Sequence, residues 1–222
     1  KPIVVGPWLS EIGFELLYWV PFLRWVKREF DLPSDRLVAV SRGGASGWYE
    51  DICGRYIDVL DHFSVGQFKE GNEERIAWFG GQKQIGLSKF DKELLLSVSQ
   101  VLGTDNFELM HPSMMYRLFD FYWHGPGSVG LVERYTISEQ LQPEMAGRSS
   151  ISLPEEYVAA KFYFSACFPD TAENRSFASD LLRNIAKERP VVVLDTGLEI
   201  DDHLGLDLEG HEGIHSTRQL VT

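Results

Sequence analysis

With 222 residues, 44% of them hydrophobic, the chain carries enough apolar content for a packed core, as one large domain or two small ones. Its 33 acidic residues against 21 basic ones give a net charge of -12, which argues against general basic attraction to nucleic acid or an anionic membrane surface. Two cysteines, Cys53 and Cys167, are too few for a disulfide framework or a zinc site, and no apolar run approaches a membrane span. The chain opens straight into a strand rather than a signal peptide, so a cytoplasmic protein is expected.

The β-branched run Ile3-Val4-Val5 predicts a first strand, and Phe14, Leu17, Tyr18, Pro21, Phe22 and Trp25 recur at helical spacing. Between them lies Gly6-Pro7-Trp8-Leu9-Ser10-Glu11-Ile12-Gly13-Phe14-Glu15, a loop and first helical turn at the carboxyl end of a strand, where open α/β sheets bind ligands. The unpaired N–H groups of such a turn favour negative charge, which suits Glu11 and Glu15 as carboxylates facing a cleft; a helix cap and a solvated first turn is the plainer alternative. A second strand is predicted at 36–41, running into Arg42-Gly43-Gly44-Ala45-Ser46-Gly47-Trp48-Tyr49. These glycines match neither the P-loop nor the dinucleotide fingerprint, but Arg42 beside Trp48 and Tyr49 offers a cation and aromatic faces to a sugar or an anionic acceptor.

A third short strand is expected at 56–60. Residues 64–90 read as irregular connections around a short strand at 75–79. Leu94, Leu95, Val98, Val101 and Leu102 predict an amphipathic helix over 91–102, stopped by Gly103. A strand at 107–113 leaves His111 near its end before a proline, the histidine best placed for chemistry, and a bulky aromatic helix follows over 114–123. Breakers crowd residues 124–156, which places a domain boundary there, with domains at 1–145 and 150–222. Beyond it, a strand at 157–164, a loop, a helix at about 175–187 and a strand at 191–194 form a second βαβ unit.

The opening Gly-Pro-Trp-x-Ser-Glu-x-Gly-x-Glu with its Pro-Phe-Leu-Arg helix resembles the first loop of GT-B fold glycosyltransferases of the heptosyltransferase-like group. Residues 162–202 resemble the donor half of those enzymes. The resemblance implies an α/β chain of two Rossmann-like parallel-sheet domains, an acceptor-side one first and a donor-side one that looks incomplete, as though the chain were truncated after Thr222. It implies transfer of a sugar from a nucleotide-sugar to a saccharide acceptor, with no cofactor beyond that co-substrate and no obligatory metal. Glu11 is then the better base, Glu15 an orienting or capping residue, and His111 a further catalytic candidate. Arg175, Lys161, Ser165 and Asn174 would hold the donor phosphates, and Trp8, Ser10, Arg42 and Trp48 the acceptor. A non-catalytic carbohydrate- or nucleotide-binding module, and a sugar-nucleotide epimerase on the same fold, are the alternatives. Asp201-Asp202-His203 with His211 and His215 shows no recognised metal-site spacing, and Cys167 lacks a neighbouring histidine to make it a nucleophile.

Overall fold

The structure, a computed structural model, describes residues 1–140, 153–162, 164, 167–194 and 212–216. The chain is α/β and divides into two compact units, Lys1–Gly147 and Arg148–Thr222. Each is built on a parallel sheet, compatible with a Rossmann-like domain.

In the first unit the sheet order is β3-β2-β1-β4, with β1 at Ile3–Val5, β2 at Leu37–Ser41, β3 at Arg55–Asp58 and β4 at Glu108–Met110. Every pair is parallel, and Val4 lies level with Val38 on one side and Leu109 on the other. β1 and β2 are buried throughout, which accounts for their continuous apolar runs in place of alternation. The chain builds outward from β1 through β2 to β3, then crosses back to lay β4 on the opposite side of β1. That reversal makes a topological switch point between β1 and β4, and ligand sites of open α/β sheets lie at the carboxyl ends of such strands.

The segment after β1 is helical but not uniform. A short α1 (Ile12–Phe14) leads into a π-helical turn at Glu15–Trp19 and then α2 (Val20–Glu29), with Pro21 in the first turn of α2. π turns are uncommon and often mark functional sites. Here the wide turn buries both Glu15 and Trp19. The core beneath gathers Val5, Trp8, Trp19, Phe22, Leu23, Met115 and Phe119, with Trp8 stacked between Trp19 and Tyr116 at centroid distances of 5.9 Å each.

The expected irregular stretch at 64–90 and its strand at 75–79 are replaced by a helix, α3 (Val65–Phe79). Ser64 and Gln67 form a reciprocal capping box at its start, and Gly80 closes it in the left-handed conformation. Gly71 lets α3 approach α4 (Lys89–Leu102), since a side chain there would lie 2.5 Å from the Phe90 ring. Among the described residues the unit also has α5 (Ser113–His124) and α6 (Gly130–Arg134).

In the second unit β5 (Val158–Ala160), β6 (Val191–Val193) and β7 (Ile214–Ser216) pair in parallel in that order. Helix α7 (Ala172–Ala186) covers them through Ala178 and Leu182, which pack with Phe164, Val191 and Val193. It starts at Ala172, capped by the Thr171 side chain, so Arg175 lies within its first turn rather than opening it. Among the described residues no helix is long and apolar enough to cross a membrane.

Candidate functional site

The loop between β1 and α1 is pinned from three sides. Gly6 N–H donates to the Met110 carbonyl of β4 at 3.0 Å, and Trp8 N–H to the Val40 carbonyl of β2 at 2.9 Å. The Gln84 side chain grips the loop from behind: its Oε1 accepts from Leu9 N–H at 2.8 Å, and its Nε2 donates to the Pro7 carbonyl at 2.9 Å. Arg42 donates to the carbonyls of Trp8 (3.4 Å) and Ser10 (2.9 Å). Ser10 Oγ donates to the Gln82 carbonyl at 3.0 Å and accepts from Tyr116 OH at 2.9 Å. The close approach fixes the residue at position 6: its φ is +127°, and a Cβ there would stand 2.4 Å from the Val40 carbonyl oxygen.

Of the four acceptor-side candidates, three are committed to this scaffold. Trp8 is fully buried in the aromatic stack, Ser10 is buried between Gln82 and Tyr116, and Arg42 is buried with its guanidinium over the Phe68 ring. These residues shape the loop; none presents a free face to a sugar, because burial and backbone bonds have taken the groups that would touch one. Trp48 is half-buried against the core. Glu11 is different: it stays exposed at the head of α1, at the carboxyl end of β1, without a side-chain capping bond.

Glu15 is fully buried rather than placed in a solvated turn. Its Oε1 accepts from Ser41 Oγ and from Tyr49 OH (2.5 Å), while Oε2 has no hydrogen-bond partner among the described residues. Burial raises its carboxyl to about 7, against the pull of Ser41, Tyr49 and Arg42. Relative to an ordinary value of 4.5, the folded protein then holds a proton that the unfolded chain has released. Stability contributed by this proton is full below about pH 4.5 and falls as pH rises toward 7, by about 3 kcal/mol in all at 1.36 kcal/mol per pH unit. In Glu15→Gln that fall is expected to disappear, so the variant gains on the wild type between pH 4.5 and 7 in paired urea titrations. Parallel pH curves for the two proteins would contradict it.

At the end of β4, His111 is buried and joined to Asp91 of α4, its Nε2 lying 3.1 Å from Oδ1. Ser113 N–H donates to His111 Nδ1 at 3.2 Å, so Nε2 is the ring nitrogen that carries the proton and donates to Asp91. Asp91 also accepts from Ser88 N–H (2.7 Å), Ser88 Oγ (2.5 Å) and Gln84 Nε2 (3.2 Å). Burial alone would raise its carboxyl; the bonds from His111 and Ser88 outweigh burial and hold it below 3.8. His111 thus has both ring nitrogens occupied inside the protein. It positions the loops of the switch point and does not face solvent.

In the second unit, Arg175 makes a bidentate ion pair with Asp170 (2.5 and 2.8 Å) and lies over the Phe164 ring. The fork expected to grip a phosphate therefore already holds a carboxylate. Asn174 donates through its side chain to the Pro169 carbonyl and through its N–H to Thr171 Oγ1. Lys161 follows β5 instead of lying within a strand, and is exposed. Ser165, and the acidic and histidine residues at 201–203 and 211, lie outside the described residues; His215 sits in β7. Cys167 is exposed. Among the described residues no group of three or more His, Cys, Asp or Glu side chains is gathered to hold a metal.

Gln84, Asp91, Tyr116 and Ser41 organise the site yet were not among the candidates read from sequence, and Tyr49, read as an aromatic face for an acceptor, is instead buried against Glu15. Only Asp91 had a local signal, the Ser88-x-x-Asp91 spacing of a helix start. Comparisons of this chain with protein-family models, with curated proteins and with solved structures find no match.

Proposed function

We propose that this protein is a glycosyltransferase of the GT-B type, with Glu11 as the base that activates a saccharide hydroxyl. The observation that carries the reading is the position of Glu11: an exposed carboxyl group on a loop fixed by buried bonds, at the carboxyl end of β1 beside a topological switch point. A base must be held in place yet reach its substrate, and Glu11 meets both needs while Glu15 and His111 are enclosed. In the reaction the acceptor O–H proton passes to Glu11 as its oxygen bonds to the anomeric carbon. The bond from that carbon to the diphosphate breaks, and the nucleoside diphosphate leaves with the electron pair. The second unit is the donor side in this reading, and Arg175 exchanges Asp170 for the diphosphate when the donor binds.

The test is a panel of nucleotide-sugars with release of nucleoside diphosphate as the readout. Glu11→Gln is expected to lower turnover by about 100- to 10,000-fold while the melting-temperature rise given by the donor is retained. A variant that turns over like the wild type overturns the role of Glu11. Absence of any shift with every nucleotide-sugar overturns the transferase itself.

A further inference from the structure

Trp8, Ser10 and Arg42 are spent on the scaffold, so an acceptor beside Glu11 needs another surface. Phe14 lies three residues after Glu11, one helical turn along, and is half-buried. With Tyr18 of the π turn and Trp123 of α5, also half-buried, it makes a surface of three rings whose centroids are 5.3 to 5.5 Å apart. Lys83 lies over this surface, its Nζ 4.6 Å from the Trp123 centroid and 5.8 Å from that of Phe14. The residues on either side of Lys83 hold the Glu11 loop, Gln82 through its carbonyl to Ser10 and Gln84 through its side chain to Pro7 and Leu9. Its neighbours' bonds thus fix Lys83 beside the loop, and its own charge fixes it on the rings. Lys83 is half-buried rather than sealed, and among the described residues no carboxylate pairs with it. A ring face attracts an ammonium through its quadrupole and leaves N–H donors for an oxyanion.

We infer that the acceptor is an acidic saccharide of the uronate type, lying against Phe14, Tyr18 and Trp123 with its carboxylate on Lys83. Its role as acceptor rests on the transfer reading. The apolar C–H face of a sugar ring suits an aromatic surface, and the surface here is within a helical turn of the proposed base. A neutral sugar needs no cation beside it. An acidic one is repelled by the Glu11 carboxylate on a chain of net charge -12 unless a cation stands close by, and Lys83 is that cation.

The experiment is titration of the whole chain, with no donor present, followed by ligand-observed NMR. The probes are tetragalacturonate and a glucuronate–N-acetylglucosamine tetrasaccharide, each beside its carboxyl-reduced neutral form. At least one acidic form is expected to bind saturably, with its neutral form about tenfold weaker or more. Lys83→Met is expected to bring the acidic form down to the affinity of the neutral one with the fold retained by circular dichroism. Lys83→Arg should keep the preference, and Lys69→Met, at an exposed lysine of α3, should change nothing. Binding of neither acid, equal affinity for the neutral forms, a preference that survives Lys83→Met, or an equal loss in Lys69→Met each overturns the site. Binding is read without turnover, so the two readings fail separately. Acid binding that depends on Lys83 in a protein that transfers no sugar supports the site and overturns the transferase. Transfer to neutral acceptors alone overturns the acidic acceptor and leaves the transferase standing.

Discussion

Gly6→Ala is expected to destabilise the first unit by on the order of 4 kcal/mol, from positive-φ strain and overpacking of about 1–3 kcal/mol each. The added methyl would stand 2.4 Å from the Val40 carbonyl oxygen, and that oxygen is held in place by Trp8 N–H. Neither partner can retreat, because one belongs to a central strand and the other to the pinned loop. Gly43→Ala is the matched control: its φ is +68°, but nothing lies within 4 Å of the added carbon. It should cost about 1 kcal/mol, the conformational part alone. Urea titrations of the two variants separate backbone strain from collision. Equal midpoints would mean that the loop gives way, and that its bonds to β2 and β4 do not hold it.

The second large effect is expected at Asp91. Asp91→Ala removes the acceptor for Ser88 N–H, Ser88 Oγ, Gln84 Nε2 and His111 Nε2 at once, in a site with no exposure. It also removes a negative charge that favours the buried Arg75 cation. Breaking a buried charged network of this kind costs about 3–5 kcal/mol. Because the folded carboxyl lies below 3.8, its contribution is full above that pH and is lost as pH falls through the lower folded value. Wild type and Asp91→Ala should therefore differ most near neutral pH and converge in acid. A gap that persists unchanged to pH 2 would show that the loss comes from the cavity and not from the charge.

The two central strands of the first sheet were readable because each is a buried run dominated by β-branched and aliphatic residues, as in Ile3-Val4-Val5, and such runs need no partner to be recognised. The helix at Val65–Phe79 was not, because its apolar residues lack helical period and Gly66 and Gly71 lower its propensity. Its evidence lay at the ends, in the Ser64–Gln67 box and Gly80. Inside the candidate site the limit was of another kind. Glu11 and Glu15 are four residues apart in one motif, yet one is exposed and the other sealed beneath Ser41 and Tyr49. Which of the two turns inward depends on the π turn and on partners 26 and 34 residues away, and a local pattern carries neither.

The Gln84 side chain ties Pro7 and Leu9 to a segment 77 and 75 residues further along the chain. Closing a loop of that length has an entropic cost that is recovered only when the contact at its end is made. The first strand can find its neighbour β2 early, but the stretch that carries Glu11 is held by Gln82 and Gln84, far along the chain. Pairing of β1 with β2 is therefore the more local contact, and the fixing of the loop that carries Glu11 belongs with the long-range contacts that also pair β1 with β4.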